Sequence, residues 1–465
     1  MTDNSYQAVM ARRNEIMKKA IGMDYSRYAR GRLAFDYQAL MTEAGYSLEE
    51  VVAVQRETGV GNTPLYELKN ITALVRQTAP KGKGARIFLK DEAANPSGSF
   101  KARRAALSVY HAAKQGYEGV VAATSGNYGA AVASQAAMRG LKCIIVQEAF
   151  DSRGIYQPEI AEKGRACETY GAEVLQLSVG PELFYVFLRT LEETGFFNAS
   201  LYTPYGIAGV ETLGWEIVQQ LDEKYNTKPD MVVITHAGGG NLTGTARGLR
   251  KAGSDAVVVG ASVDLKGLHM ASDNDFNRKS FTTGHTGFGV PFTTWPDRAD
   301  VPRNAARPLR YMDRYVTMTQ GEAFYVTELL AQLEGLERGP AGNVSLAAAM
   351  ALAKELDQDQ VLVVQETEYT GAGKHVTAQL SFARNNGIKI SSGDPAASVP
   401  GESIILPEHP GQIRVIDMDM DGLRRSYIKN ALAQLDGAPL SPEDLSFLAE
   451  DCRATPEFIE SIAKE

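Results

Sequence analysis

Residues 95–104 read Asn-Pro-Ser-Gly-Ser-Phe-Lys-Ala-Arg-Arg, a run of turn formers that hands over to a helical pattern at Lys101. The nearest acids before that lysine are Asp91 and Glu92, at the end of a short apolar run. Outward from this junction, β-branched runs alternate with longer helical patterns. Strands are expected at Ala85–Lys90, Gly119–Ala123, Lys142–Gln147, Glu173–Leu177, Met231–Thr235, Val257–Ala261 and Val361–Gln365. Helices are expected at Lys101–Tyr117, Tyr128–Arg139, Pro158–Tyr170, Val210–Glu223 and Val344–Leu356. Near-continuous apolar strands are buried on both faces, and strand–helix alternation gives βαβ units, so the fold class is α/β with largely parallel sheets.

At 465 residues and 44% hydrophobic content, the chain can bury a core large enough to divide into domains. Its 48 basic and 56 acidic residues give a formal charge of −8 with no long block of either sign, which argues against nucleic acid and anionic membrane surfaces as partners. No stretch has the length of a signal peptide core or a membrane span. Cys143, Cys167 and Cys452 lie far apart and have no metal-ligand spacing, so a cytoplasmic location is expected and no metal is assigned. The segments Tyr202–Ile207 and Phe281–Arg310 are expected linkers. After about Gly393 the alternation gives way to two short helical patterns, Pro442–Cys452 and Pro456–Lys464.

In parallel α/β folds, ligands lie where strands end and loops turn into helices. Four such loops are rich in Gly, Ser, Thr and Asn: the one ending at Lys101, "ATSGNYGAA" after Ala123, "THAGGGNLTG" after Thr235's strand, and "QETEYTGAGKH" after Val361–Gln365. Together they imply one polar ligand bed. Gly238, Gly239 and Gly240 precede a helix start, which suits a phosphate, although a simple tight turn uses the same residues. A dinucleotide fingerprint counted from Gly238 would place its last glycine at Thr243, and a P-loop ending at Lys374 would need Ser or Thr where His375 stands. A single phosphate monoester on a compact cofactor fits better. Pyridoxal 5′-phosphate is such a cofactor and needs a lysine for its Schiff base.

The motif "NPSGSFKARR" resembles the lysine motif of the fold-type-II pyridoxal-phosphate enzymes, the group of threonine synthase, threonine dehydratase, cysteine synthase and the tryptophan synthase β chain. "SGNYG" resembles their substrate and cofactor loop, "GGGNLTG" their phosphate loop, and "TGAGKH" the Thr-Gly-x-Gly segment of threonine synthases. Order and spacing match over roughly residues 60 to 390. Longer stretches, "GVGNTPLYELKN", "THAGGGNLTGTARGL", "GASVDLKGLHMAS" and "ETEYTGAGKH", are similar to the β-subunit family of 2-amino-4-oxopentanoate thiolase. The resemblance implies two α/β domains with the cofactor between them: residues 1–60 with 96–205, residues 61–95 with 206–393, and an extension over 394–465.

It also implies the site residues. Lys101 would form the Schiff base and Asn127 would contact the ring hydroxyl, while Ser125 and Gly126 would take the substrate carboxylate. Gly238, Gly239, Gly240, Asn241 and Leu242 would hold the phosphate through backbone amides. Thr370 would meet the pyridine nitrogen, with Glu366 as its rival. The activity implied is cleavage of 2-amino-4-oxopentanoate by coenzyme A to acetyl-CoA and alanine in ornithine degradation. The implied partner is a small α subunit, in a hetero-oligomer built on a β–β dimer. A threonine synthase or dehydratase would share every cofactor residue, and a non-catalytic scaffold would have no need of Lys101. Ala102 stands where threonine synthases usually place Asp.

Some of these residues also suit plainer roles. Asn127 suits a helix cap, and Thr370 and Glu366 suit turn positions. Cys143 reads as core. Cys167 suits a buried helical cysteine more readily than an acetyl-carrying thiol. Arginines 303, 307, 310 and 314 suit coenzyme A phosphates or, more commonly, a solvated face.

Overall fold

The computed structural model describes residues 3–124, 126–150, 156, 158–177, 182–199, 203–265, 308–369 and 375–465. Fifteen strands are found among them: β1 Ala29–Arg30, β2 Ala34–Phe35, β3 Leu65–Glu67, β4 Arg86–Asp91, β5 Gly119–Ala123, β6 Lys142–Glu148, β7 Glu173–Leu177, β8 Phe197–Asn198, β9 Met231–Thr235, β10 Val257–Val263, β11 Arg314–Met318, β12 Val361–Glu366, β13 Lys389–Ser392, β14 Ser403–Leu406 and β15 Ile416–Asp417. Four of them form one sheet in the order β7-β6-β5-β8, and seven form another in the order β15-β11-β10-β9-β12-β4-β3. The small sheet is wholly parallel. In the large sheet the strands from β11 to β4 run parallel, and β3 and β15 close its edges antiparallel.

Every strand expected from apolar runs is present, shifted at most two residues at an end. The expectation of burial on both faces holds in atomic detail for β12: Leu362 and Val364 pack with the helices of one face, Val361 and Val363 with those of the other. Each such fully buried side chain contributes roughly 1.5–3 kcal/mol. Around the small sheet, Val121 and Val146 meet the N-terminal helices through Val9 and Met17, whereas Val120 and Ala122 meet the helices Lys101–Lys114 and Asn127–Met138.

The expected linker Tyr202–Ile207 is, in its described part, the start of a helix. Thr203 caps Pro204–Tyr225 by accepting from the Gly206 N–H at 3.1 Å, Pro204 takes the first turn, and Asn226 ends the helix in the left-handed region. Only 308–310 of the other expected linker fall within the described residues. Beyond Gly393 the chain returns to the large sheet, since β15 pairs with β11 in the register Val316↔Asp417. The helix Met420–Ala433 precedes the two expected C-terminal helices, and the three bury Tyr427, Leu448 and Ile459 against Leu33 and Leu309.

Two features hold the ligand edge in place. The first is close packing between Pro204–Tyr225 and Gly240–Lys251, where a Cβ on Gly248 would lie 1.9 Å from Glu211 O and one on Gly214 would lie 2.0 Å from Thr245 O. Backbone meets backbone there, so no side chain can move aside.

The second is Arg103, fully buried two residues after Lys101. Its Nε and Nη2 donate to Glu92 at 2.7 and 2.9 Å, and Nη1 and Nη2 donate to Glu216 at 3.0 and 2.7 Å. Lys90 Nζ joins through Glu216 at 3.0 Å, Gln220 at 2.9 Å and Thr63 O at 2.7 Å. Two cations and two carboxylates thus balance inside the protein. Burial pushes the Lys90 amine down, opposed by Glu216, and the Arg103 and Lys90 charges hold the Glu216 carboxyl far below its ordinary range despite burial.

Gly248→Ala should destabilise the fold by about 3 kcal/mol or more in urea unfolding, the cost of overpacking without room to relax; an unchanged midpoint would mean that the helices can separate cheaply. Arg103→Met should cost about 3–5 kcal/mol, because it leaves a buried carboxylate uncompensated. That loss should exceed the loss from the same change at solvent-facing Arg32.

Candidate active site

The four polar loops converge on the exit of β12, residues 365–369. The turn bearing Lys101 pairs with it directly: Phe100 N–H donates to Thr367 O at 3.0 Å, Tyr369 N–H donates to Gly98 O at 2.8 Å, and Ser99 bridges Glu368. Ser97 and Gly98 both have positive φ, the sharp bend that brings this turn onto the strand end. Lys101 is the first residue of its helix, with Nζ 4.6 Å from the centre of the Phe100 ring.

The second loop arrives from the small sheet. Its helix begins at Asn127, one residue earlier than the pattern suggests, and the Asn127 side chain does not cap it. Instead Asn127 Nδ2 donates to Glu368 Oε2, across from one sheet to the other. At Gly126 a Cβ would meet nothing within 4 Å among the described residues.

In the third loop Gly239 caps the helix Gly240–Lys251 at φ +80°, in the left-handed region. Leu242 and Asn241 are buried in its first turn. Asn241 Nδ2 donates to Gln365 Oε1 at 2.5 Å, and Gln365 Nε2 passes the contact to Thr245 Oγ1 at 3.1 Å. The glycines therefore open a helix whose free N–H groups stand at the same strand exit.

Of the site residues expected from the sequence, Lys101, Gly126, Asn127, Gly238–Leu242 and Glu366 lie along this edge, and Ser125 and Thr370 lie outside the described residues. Glu366 ends β12 in register with Asp91 of β4. It is fully buried, and neither carboxyl oxygen has a hydrogen-bond partner among the described residues. Burial above all, then the neighbouring Asp91 and Glu368 side chains, raise its pKa well above the usual carboxylate range. Arg338 grips Asp91 with Nε at 2.7 Å and Nη2. Gly342 makes room, since a Cβ there would fall 1.7 Å from Glu366 Oε1.

Two residues central to this geometry, Arg338 and Arg103, escape sequence reading, and Glu368 is legible there only as a second carboxylate near Thr370. Glu368 and Arg103 sit inside the motifs already quoted, so the only available signal was a carboxylate and a guanidinium among turn and helix residues. Nothing in the local pattern marks Arg338.

Three other candidates resolve. Cys167 is buried beside Gly129, and burial pushes its thiol up to about 12, so it is a core cysteine. Arg310 stands 3.6 Å from Asp451 and from Glu450, and Arg314 binds Asp417 and Glu355, so both are ion-paired. Arginines 303 and 307 fall outside the described residues. No helix among the described residues is long and apolar enough to cross a membrane.

A compact phosphorylated cofactor suits this edge on the structure's own terms. Asn127 Oδ1, Asn241 Oδ1, Thr243 Oγ1 and both Glu366 oxygens are buried without partners among the described residues, and buried polar atoms of this kind mark places where a ligand completes the hydrogen bonding.

Comparison with known proteins agrees. The pyridoxal-phosphate-dependent enzyme family matches residues 56–367. The "2-amino-4-ketopentanoate thiolase beta subunit" of Acetoanaerobium sticklandii is 66% identical over 463 residues, covering 100% of this chain and 99% of its own length. A threonine synthase of Halalkalibacterium halodurans is 31% identical over 211 residues, 44% of this chain and 54% of that protein. Among solved structures, the serine racemase of Dictyostelium discoideum superposes with a TM-score of 0.54 at 20% identity over 70% of this chain and 98% of its own. Maize serine racemase does so at 0.53 and 21% identity over 73% and 98%. Those two likenesses concern the fold alone. A lysine at a helix start, a glycine-lined helix N-terminus and an end-to-end match to a relative all agree: the chain belongs to the family of pyridoxal-phosphate-dependent enzymes.

Proposed function

We propose that this chain is the cofactor-binding β subunit of a 2-amino-4-oxopentanoate (2-amino-4-ketopentanoate) thiolase, cleaving that substrate with coenzyme A to acetyl-CoA and alanine together with a small α subunit. The observation that carries the reading is the 66% identity, sustained over the whole length, to the β subunit of that name. The threonine synthase likeness covers under half of the chain. A cytoplasmic setting agrees with three cysteines that are all buried and unpaired.

Lys101 holds the cofactor aldehyde, and the amides of Gly238, Gly239, Gly240, Asn241 and Leu242 hold its phosphate at the helix start. Asn127 meets the ring hydroxyl. Thr370 meets the pyridine nitrogen, with Glu366 as the rival; burial, which raises the Glu366 pKa, favours its protonated form there. Ser125 and Gly126 receive the substrate carboxylate. Bound pyridoxal phosphate would supply the electron sink for the negative charge left on C3, beside the amino-bearing carbon, as the C3–C4 bond breaks. Lys101 would also be the base that takes the proton from the amino-bearing carbon. The two-domain division at residues 60, 95, 205 and 393, and a β–β dimer within the hetero-oligomer, belong to the same reading.

Purified protein should be yellow, and Lys101→Ala should lose the visible band of the lysine-linked cofactor; an unchanged band would assign the linkage to another lysine. Mixed with its small partner subunit, the chain should convert 2-amino-4-oxopentanoate and coenzyme A into acetyl-CoA and alanine, and alone it should show little or no turnover. Parallel assays with O-phosphohomoserine and with threonine decide against the thiolase if phosphate or 2-oxobutanoate appears while the reconstituted pair makes no acetyl-CoA.

A further inference from the structure

Glu368 has no role in the reading above, yet its side chain joins the two sheets at the lysine-bearing turn. It is 2% exposed, and Asn127, its donor, is 4% exposed. Its backbone is tied on two sides, bridging Ser99 and accepting from Gly339 N–H at 3.2 Å. The side chain lies against Gly339, where a Cβ would come within 3.1 Å of Glu368 Cγ and 3.2 Å of Oε1. A carboxylate held this way can move little.

An amide is planar with its donor and acceptor on opposite arms, so fixing one arm aims the other. Asn127 directs Nδ2 to the Glu368 carboxylate, and its Oδ1 is left buried with no partner among the described residues. The reverse orientation would set an amide oxygen against a carboxylate oxygen, two acceptors with no hydrogen between them. We infer that Glu368 is a positioning residue for the cofactor: it orients the Asn127 amide so that Oδ1 is presented as a ready acceptor to a hydrogen-bond donor on the cofactor ring. This rests on the assignment of Asn127 to the ring hydroxyl. It adds that Asn127 works only as half of a pair, with the other half supplied from the far side of the site.

The test is a double-mutant cycle on the full-length protein with pyridoxal phosphate as the probe, reading its dissociation constant and the position of its visible band. Asn127→Ala and Glu368→Ala should each weaken binding about tenfold, the effect of losing one charge-assisted hydrogen bond, and shift the band. The double variant should be no worse than the poorer single. Glu368→Gln keeps an acceptor oxygen at similar reach and should restore most of the affinity, whereas Gly339→Ala, which pushes on Glu368 from behind, should reproduce part of the loss. Thermal unfolding of the cofactor-free variants should stay close to the parent, which separates positioning from general destabilisation. Losses that multiply in the double variant, or a Glu368→Ala protein with parental affinity and spectrum, overturn the inference. A parent protein that takes up no pyridoxal phosphate overturns it together with the assignment beneath it.

Discussion

The guanidinium of Arg103 is the interaction on which the rest of the site depends. A fully buried cation must be surrounded by partners, and Arg103 draws them from separate parts of the chain: Glu92 from the turn after β4, and Thr212 and Glu216 from the Pro204–Tyr225 helix. Its planar fork donates to both carboxylates in bidentate fashion, which a lysine cannot do. Lys101 is two residues away on the same helix, so its backbone is set by the geometry that satisfies Arg103. Glu216 also receives Lys90 from β4, which extends the constraint to the strand beside β12.

Packing of the helices transmits that constraint to the phosphate end. Pro204–Tyr225 lies against Gly240–Lys251 at backbone distance because Gly214 and Gly248 leave no side chains between them. Gly209 sits just as closely on Arg103 O, where a Cβ would fall 2.3 Å away. One long helix therefore touches both the charge network under Lys101 and the helix whose start carries the glycines. Rigid support of this kind keeps a ligand's two anchoring points at a constant separation.

Electrostatics at the exit of β12 divide two neighbouring strand-end acids into different roles. Asp91 is held by the Arg338 guanidinium, whereas burial raises the pKa of Glu366, which is in register with Asp91 and has no ion pair among the described residues. Glu368, two residues on, spends its carboxylate on Asn127. Three carboxyl side chains thus take three settings at one strand exit: one gripped by an arginine, one buried without a hydrogen-bond partner among the described residues, and one accepting from an amide.

The α/β class, the central strands and the four polar loops could all be read along the chain, because they depend on local patterns: apolar runs long enough for two-sided burial, and Gly, Ser and Asn where strands turn into helices. Lys101 could be singled out as a candidate only from its setting together with the three other loops. The short edge strands β3, β8 and β15 could not, since two or three residues carry no periodicity and pair only because a neighbour offers an open edge. Nor could Tyr202–Ile207, whose Pro and Gly read as a linker until Thr203 and Pro204 are seen capping a helix. The meaning of Glu368, the raised pKa of Glu366 and the partners of Arg103 all depend on contacts between residues far apart in the chain. A side chain's charge and orientation follow from what surrounds it in space, and tertiary structure alone decides that.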